Sequence, residues 1–266
     1  MKFFSDKLSQ IHLVLLVAGF LTLTGNFTFF EKTLLVYPLF ENLFFLGSLF
    51  LFLFTFLAAL LLLICYRKST KPILILLLLT SSLVSYSTNN YGIVFDHNMI
   101  TNTFETDPSE LRDLINFKSI LYFLVLGILP SLFVFKVELK KLTLKTQFLQ
   151  RLKYFIVLVV VFVVVVLSFS KHYTSFAREN RDLRLYINPT YYLYSAAKFI
   201  DSKMVTSSTP FKVIGLDAQI NKKSDKRRLV IFVIGETVRR DHMSINGYSL
   251  QTNPYLEKRI SSHSKI

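Results

Sequence analysis

The sequence predicts an all-α membrane domain of five transmembrane helices, followed by interfacial helices and by the first strand of an α/β domain. Three observations lead to this fold class. Of the 266 residues, 52% are hydrophobic and 27 are Phe, and the apolar residues are concentrated in blocks before residue 170. Basic residues are concentrated in alternate loops between these blocks, and a short β-branched run appears only near the end of the chain.

Five apolar blocks are long enough to cross a bilayer as helices, for which about 20 residues are needed. The fifth is rich in valine, but an open strand in hydrocarbon leaves its backbone amides unpaired, so a helix is predicted there too. The first block follows Lys2 and Lys7 and lacks a small-x-small cleavage site, which indicates a signal anchor. The five blocks are residues 11–30, 43–66, 72–90, 119–135 and 154–170.

Basic residues mark one side of the predicted membrane domain. The loops on that side hold eleven, while the two loops on the other side hold three basic and seven acidic residues. By the positive-inside rule the N-terminus is cytoplasmic, and five crossings place everything after Ser170 in the periplasm. The eleven residues are Lys2, Lys7, Arg67, Lys68, Lys71, Lys136, Lys140, Lys141, Lys145, Arg151 and Lys153.

The net charge of +14 has two parts, and the first is the basic residues of the inner loops, a topology signal that requires no nucleic acid. After residue 170 there are 17 Lys and Arg against 8 Asp and Glu, with Arg178, Arg181 and Arg184 close together. On the outer face of a membrane such residues suit anionic head groups or phosphates. A solvated basic linker is the alternative interpretation.

Residues 171–228 are predicted to form an amphipathic bridge on the outer surface of the membrane, after a domain at 1–170. Asn188-Pro189 should divide the bridge into two helices, because the residue before a proline disfavours helical geometry. Four tyrosines suit the head-group level, although two ordinary surface helices would also fit the pattern. These are Tyr186, Tyr191, Tyr192 and Tyr194.

The last region, residues 229–266, opens with LVIFVIG, a run typical of a strand buried on both faces of a parallel sheet. Functional groups gather at the carboxyl ends of such strands, where Glu236 lies. Glu236 and Thr237, with Asp241 and His242 shortly after, offer ligands that suit a divalent cation. The alternative is a strand-to-helix turn in which Thr237 caps a helix and Asp241 pairs with Arg239 or Arg240.

Residues 227–256, RRLVIFVIGETVRRDHMSINGYSLQTNPYL, closely resemble the start of the catalytic domain of the lipid A phosphoethanolamine transferases. This family includes the mobile colistin-resistance enzymes and belongs to the alkaline phosphatase/sulfatase-like superfamily. Its pattern is a strand, GET, an Arg-rich turn, an acid followed by His, and then NGY and TxPxL. The chain departs from it only in Val-Arg-Arg for the usual Ala-Arg-Ala. Residues 23–38, 71–110 and 168–189 resemble the family's N-terminal domain.

The resemblance implies that phosphoethanolamine moves from phosphatidylethanolamine to a threonine and then to lipid A, a modification linked to polymyxin resistance, with zinc as cofactor. It implies that Glu236 is a zinc ligand and that Asn102, Thr106 and Glu110 bind the donor. A helical outer loop capped by Glu110 is the alternative. The nucleophilic threonine is expected beyond Ile266, so no catalytic residue is assigned and we expect an inactive fragment of a longer enzyme.

The resemblance also implies a multi-pass inner-membrane protein in contact with phosphatidylethanolamine and lipid A, which we expect to be a monomer that binds no nucleic acid. Two other functions stay open. One is a non-catalytic, lipid-binding membrane anchor. The other is a related transferase with a different glycan acceptor.

Overall fold

Helices form almost all the regular structure in the computed structural model, which describes residues 7–106, 112, 115–140, 142–205, 213–218, 232, 234 and 238–263. Contacts divide the chain into two units, Met1–Thr209 and Pro210–Ile266. The helices are α1 (Gln10–Gly25), α2 (Phe27–Val36), α3 (Leu39–Ile64), α4 (Thr70–Tyr91), α5 (His97–Glu105), α6 (Phe117–Lys136), α7 (Leu144–Ser168), α8 (Ser170–Glu179), α9 (Thr190–Val205) and α10 (Pro254–His263).

The predicted spans are present as helices of the first unit. Within the described residues, α3, α4, α6 and α7 are each long and apolar enough to cross a bilayer, and α1 with α2 forms a fifth candidate. The prediction of an all-helical membrane domain is thus confirmed, with four to five spans. The first span needs correction, because the chain bends by 56° between α1 and α2. The polar residue Asn26 lies at this bend.

The core of the bundle is formed where α3 and α4 both pack against α1. Leu13, Leu61 and Leu78 are completely buried there, and Ala58 and Cys65 fill the smaller spaces. Lipid tails are as apolar as leucine, so close packing and interhelical hydrogen bonds hold such helices together. The two outer helices, α6 and α7, pack on α4 and α3 respectively.

The helix α6 contains a π-helical turn, Leu124–Ile128, where it passes α4. Gly127 lies in this turn, and a Cβ atom added to it would lie 2.6 Å from the hydroxyl oxygen of Ser82. Small residues in membrane helices permit this kind of close backbone approach. The contact fixes the distance between α4 and α6.

Buried polar side chains join the helices at the predicted cytoplasmic end of the bundle. The side-chain amide of Gln10 donates a hydrogen bond to the hydroxyl of Thr70 and accepts one from Gln147. Arg151 is buried beside Tyr66, with its guanidinium carbon 5.3 Å from the ring centroid. Arg151 therefore belongs to the packed part of α7, whereas the sequence pattern assigns it to a loop.

The segment after α7 folds back onto the bundle. It consists of α8, a 3₁₀ segment (Arg181–Tyr186) and α9, so the predicted break at Asn188-Pro189 is confirmed. Tyr192 corrects one detail of the prediction. Its ring is 9% exposed and its hydroxyl lies 2.7 Å from that of Thr80. It faces the bundle instead of the lipid head groups, because α9 lies against α4 at this point.

In the second unit the structure describes two short 3₁₀ turns and α10. No strand occurs in the part of the chain that the structure describes. The predicted strand, residues 229–235, lies mostly outside that part. Its two described side chains, Phe232 and Ile234, are 83% and 81% exposed.

Candidate functional site

Two buried asparagines hold the segment after α7 against the bundle. Asn26 donates from its side-chain nitrogen to the carbonyl of Asn188 at 2.8 Å, and the backbone N–H of Asn188 donates to Asn26 Oδ1 at 2.9 Å. The Asn188 side chain also donates to Ser85 Oγ and to the Ser81 carbonyl, at 2.7 and 3.0 Å. Buried backbone and amide groups are costly unless paired. These bonds therefore fix the position of the 3₁₀ segment and the start of α9.

The predicted donor-binding loop is built around α5. This helix begins at Asp96, whose carboxylate accepts a hydrogen bond from the backbone N–H of Met99 at 2.8 Å. An aspartate in this position satisfies one of the free N–H groups at the start of a helix. Two side chains of α5 contact α9. The ring of Phe104 stacks on Phe199 with centroids 5.3 Å apart, and His97 Nε2 lies 3.0 Å from Ser202 Oγ.

Asn102 and Thr106 lie on another side of α5. At 3.6 residues per turn, Asn102 is about 140° around the helix axis from His97. Its side chain is exposed, and its carbonyl accepts a hydrogen bond from the Thr106 hydroxyl at 2.6 Å. That hydroxyl oxygen keeps its capacity to accept hydrogen bonds from a ligand. Glu110, the third predicted residue, lies outside the described residues.

A cavity of about 500 Å³ lies among α2, α3, α7, α8 and the 3₁₀ segment. Its volume falls within the roughly 300–1,000 Å³ of small-molecule sites. The floor is apolar and aromatic, and the polar groups all come from residues 173–184. The lining residues are Phe29, Leu49, Phe52, Leu53, Val166, Tyr173, Phe176, Ala177, Asn180, Arg181, Arg184 and Ile187.

The polar side of this cavity is cationic. Arg181 and Arg184 are exposed, and neither forms an ion pair with any residue that the structure describes. The side-chain nitrogen of Asn180 is buried and has no hydrogen-bond acceptor within the described part of the chain. Burial raises the pKa of Tyr173, whose hydroxyl lies 3.1 Å from Ser48 Oγ, so this phenol stays neutral at physiological pH. The cavity thus combines two cations and an unpaired donor with an apolar floor.

The predicted cation ligands in the second unit are engaged in other contacts or lie outside the described residues. Asp241 accepts hydrogen bonds from Arg239 at 2.5 and 3.1 Å, and this guanidinium lowers the pKa of the Asp241 carboxyl. The ring of His242 packs edge-to-face on Tyr248, with centroids 4.8 Å apart. Among the residues described, no three His, Cys, Asp or Glu side chains are placed to hold a metal ion.

The described residues therefore do not fit a zinc site. The Arg239–Asp241 pair agrees with the structural alternative for this turn. Glu236 and Thr237 lie outside the described residues, so their roles stay predictions.

Sequence reasoning missed the asparagine pair and the cavity. The arginine cluster after α7 was the available signal for the cavity, but charge alone did not distinguish it from a solvated linker. No local pattern indicated that Asn26 and Asn188 are partners, because 162 positions separate them. Both features require the folded arrangement of α2, α3 and the segment after α7.

The apolar spans, the loop helix and the anchored segment together define a multi-pass helical membrane protein. A family model described as phosphoethanolamine transferase EptA/EptB matches residues 53–204. The chain belongs to this family, of which it carries the N-terminal membrane domain.

Individual relatives agree with this assignment. The chain is 40% identical over 257 residues to phosphatidylethanolamine transferase Mcr-1 of Escherichia coli, covering 95% of this chain and 48% of that protein. Phosphoethanolamine transferase EptA of Escherichia coli K12 is 28% identical over 258 residues, covering 95% and 47% respectively. The chain spans about half the length of the curated relatives it matches.

A solved structure shows the same fold. The integral membrane protein lipooligosaccharide phosphoethanolamine transferase A (EptA) from Neisseria meningitidis superposes with a TM-score of 0.84 at 28% sequence identity. The match covers 96% of this chain and 48% of that one.

Proposed function

We propose that this chain is the membrane half of an inner-membrane enzyme that transfers phosphoethanolamine from phosphatidylethanolamine to lipid A. The observation that carries the proposal is the family match across residues 53–204, which includes α5 and the loop after it. The chain is also similar to Mcr-1 of Escherichia coli, which is named a phosphatidylethanolamine transferase. Lipid A as the acceptor rests on the family resemblance of the sequence.

In this function the membrane half holds the donor lipid. The contacts of α5 with α9 support this role, because a binding group attached to a fixed helix is already oriented for its ligand. Asn102 offers an amide that both donates and accepts hydrogen bonds, and Thr106 offers a hydroxyl oxygen. Glu110 is proposed to receive the ammonium group of the donor through a charge-assisted hydrogen bond.

The test of this function is a chimera in which this chain replaces the matching half of Mcr-1. Mass spectrometry of lipid A from cells that produce the chimera should show added phosphoethanolamine. Asn102→Ala and Glu110→Gln should each lower the modified fraction about tenfold, the effect of one lost hydrogen bond to a charged ligand. Thr103→Ala is the matched control, since among the described residues the Thr103 hydroxyl bonds only to the Met99 carbonyl of α5, at 2.7 Å.

Three results would count against the proposal. The first is unmodified lipid A from cells in which the chimera is stably inserted. The second is equal activity in the Asn102→Ala, Glu110→Gln and Thr103→Ala variants. The third is modification of another glycan in place of lipid A, which would replace the proposed acceptor.

Glu236 is proposed to contribute one ligand to a zinc ion. A zinc site takes about three or four protein ligands, so one carboxylate is insufficient. We therefore expect the purified 266-residue chain to carry no stoichiometric zinc and to leave a fluorescent phosphatidylethanolamine unchanged. Elemental analysis and a lipid-product assay measure these outcomes. Stoichiometric zinc that is lost in Glu236→Gln, or steady turnover of the donor, would contradict the expectation.

A further inference from the structure

We infer that the cavity beneath Arg181 and Arg184 binds an anionic phospholipid, with the phosphate on the two arginines and one acyl chain on the aromatic floor. This site shares no residue with the donor loop at Asn102, Thr106 and Glu110. The inference does not depend on the transfer reaction proposed above. It rests on the shape of the cavity, its polar side and the way its walls are fixed.

The floor of the cavity has the composition and depth for an acyl chain. Phe29, Leu49 and Leu53 form its base and are 1%, 2% and 4% exposed. Phe52 stacks on Phe162 of α7 with centroids 4.9 Å apart. Phe162 lies about 9 Å from the end of α7, at 1.5 Å per residue. The floor thus lies inside the apolar part of a membrane span, where the surrounding solvent is hydrocarbon.

The polar side has the geometry for a phosphate. Arg181 and Arg184 belong to the same 3₁₀ segment, in which residues three positions apart lie on the same side. Both residues line the cavity, together with Asn180, whose side-chain nitrogen is buried and unpaired among the described residues. Guanidinium groups bind phosphate oxygens through paired hydrogen bonds. The neighbouring acid, Asp182, is exposed and forms no ion pair with either arginine.

The walls that carry these groups are held in place before any ligand arrives. Leu183, between the two arginines, is 8% exposed and packs in an aromatic cluster with Phe29 and Phe176. Tyr186 at the end of the segment lies under Lys32, whose amino nitrogen is 5.0 Å from the ring centroid. A fixed backbone that presents two cations lowers the entropic cost of binding.

The charge of the cavity selects among lipids. Phosphatidylethanolamine has its own ammonium group, which the two guanidinium groups would repel, and carries no net charge to offset theirs. A phospholipid with an uncharged alcohol on its phosphate, such as phosphatidylglycerol, has the required net negative charge. Lipid A is anionic as well, but its several acyl chains exceed what a cavity of about 500 Å³ encloses.

Native mass spectrometry of the full chain in detergent tests the inference. The chain is mixed with phosphatidylglycerol, phosphatidylethanolamine or lipid A at equal concentrations, and the bound fraction is measured. We expect phosphatidylglycerol to be retained about tenfold better than phosphatidylethanolamine, and the double variant Arg181→Gln/Arg184→Gln to abolish that preference. Arg178→Gln is the matched control, because Arg178 is exposed on α8 and does not line this cavity.

A second variant tests the floor independently of charge. Ala177 is an exposed residue of α8 that lines the cavity, so Ala177→Phe should fill the space and release phosphatidylglycerol while the arginines remain. This variant decides the question if the double variant fails to fold. Equal retention of the two phospholipids, or retention unchanged in a folded Arg181→Gln/Arg184→Gln or Ala177→Phe variant, would overturn the inference. Retention of lipid A but not of phosphatidylglycerol would also overturn it.

Discussion

Asn26 is a single polar residue between two apolar helices, and its side chain holds the segment after α7 in place. It is 2% exposed, and it supplies both an acceptor and a donor to the backbone of Asn188. In hydrocarbon an unpaired backbone N–H costs several kcal/mol, so the bend between α1 and α2 and the turn at Asn188 stabilise each other.

Asn26→Ala should lower the free energy of unfolding by about 1–3 kcal/mol, because it leaves the buried N–H of Asn188 without an acceptor. Thermal unfolding of the detergent-solubilised protein measures the change. Asn42→Ala is the control: this residue lies near the start of α3, and among the described residues its side chain bonds only to the Pro38 carbonyl, at 3.1 Å. Its effect should stay within about 0.5 kcal/mol. Equal losses in the two variants would show that Asn26 has no special role.

The donor-binding roles of Asn102 and Thr106 stay predictions, whereas their surroundings are described by the structure. The resemblance in their local sequence indicates Asn102 and Thr106, and the structure places Asn102 within α5 and Thr106 directly after it. That α5 is held by Phe104 on Phe199 was not predictable, since these two rings are brought together only by the fold. The same reason explains the wrong placement of Tyr192, whose partner Thr80 belongs to a different helix.

At the scale of the element, spans were predictable because apolar length is a local property of the sequence. The residues at which helices start were less predictable from the sequence. The start of α7 at Leu144 precedes the apolar block by ten residues, because Gln147 and Arg151 are polar yet buried against α1 and the neighbouring loop. A hydropathy window counts such residues as loop, although their contacts place them in the packed structure.

The π-helical turn of α6 leads to a prediction about Gly127. Gly127→Ala should destabilise the protein by about 1–3 kcal/mol, because the added methyl overpacks the contact between α6 and α4. Gly47→Ala is the matched control, since a Cβ atom there meets no atom of the described residues within 4 Å. It should be neutral or stabilising by up to about 1 kcal/mol, as alanine favours a helix more than glycine does. Unfolding curves of both variants in one detergent make the comparison, and a harmless Gly127→Ala would refute the close contact.

At the scale of the whole molecule, the orientation in the membrane is inferred from charge and stays a prediction. A reporter fused after residue 140 should be cytoplasmic, and one fused after residue 205 should be periplasmic, because eleven basic residues lie on the predicted cytoplasmic side. Green fluorescent protein reports a cytoplasmic position by its fluorescence, and alkaline phosphatase reports a periplasmic position by its activity. Fluorescence from the fusion after residue 205 would reverse the assignment.

The division of the chain was less predictable than its spans. The contacts separate Met1–Thr209 from Pro210–Ile266, so the segment after α7 belongs with the helix bundle. The sequence boundary at residue 170 marks the end of the apolar blocks, and composition cannot show that Asn188 and Tyr192 pack on the spans. The organisation of residues 229–266 depends on a predicted strand that lies mostly outside the described residues.

The hydrogen bonds between Asn26 and Asn188 also constrain how the protein is made. The two residues are 162 positions apart, and a ribosome needs roughly 8–30 s to add that many at about 5–20 residues per second. During this interval the amide of Asn26 has entered the translocon while its partner has not yet been synthesised. The hydrogen bonds that join the bend between the first two helices to Asn188 therefore form only after the last span has been synthesised.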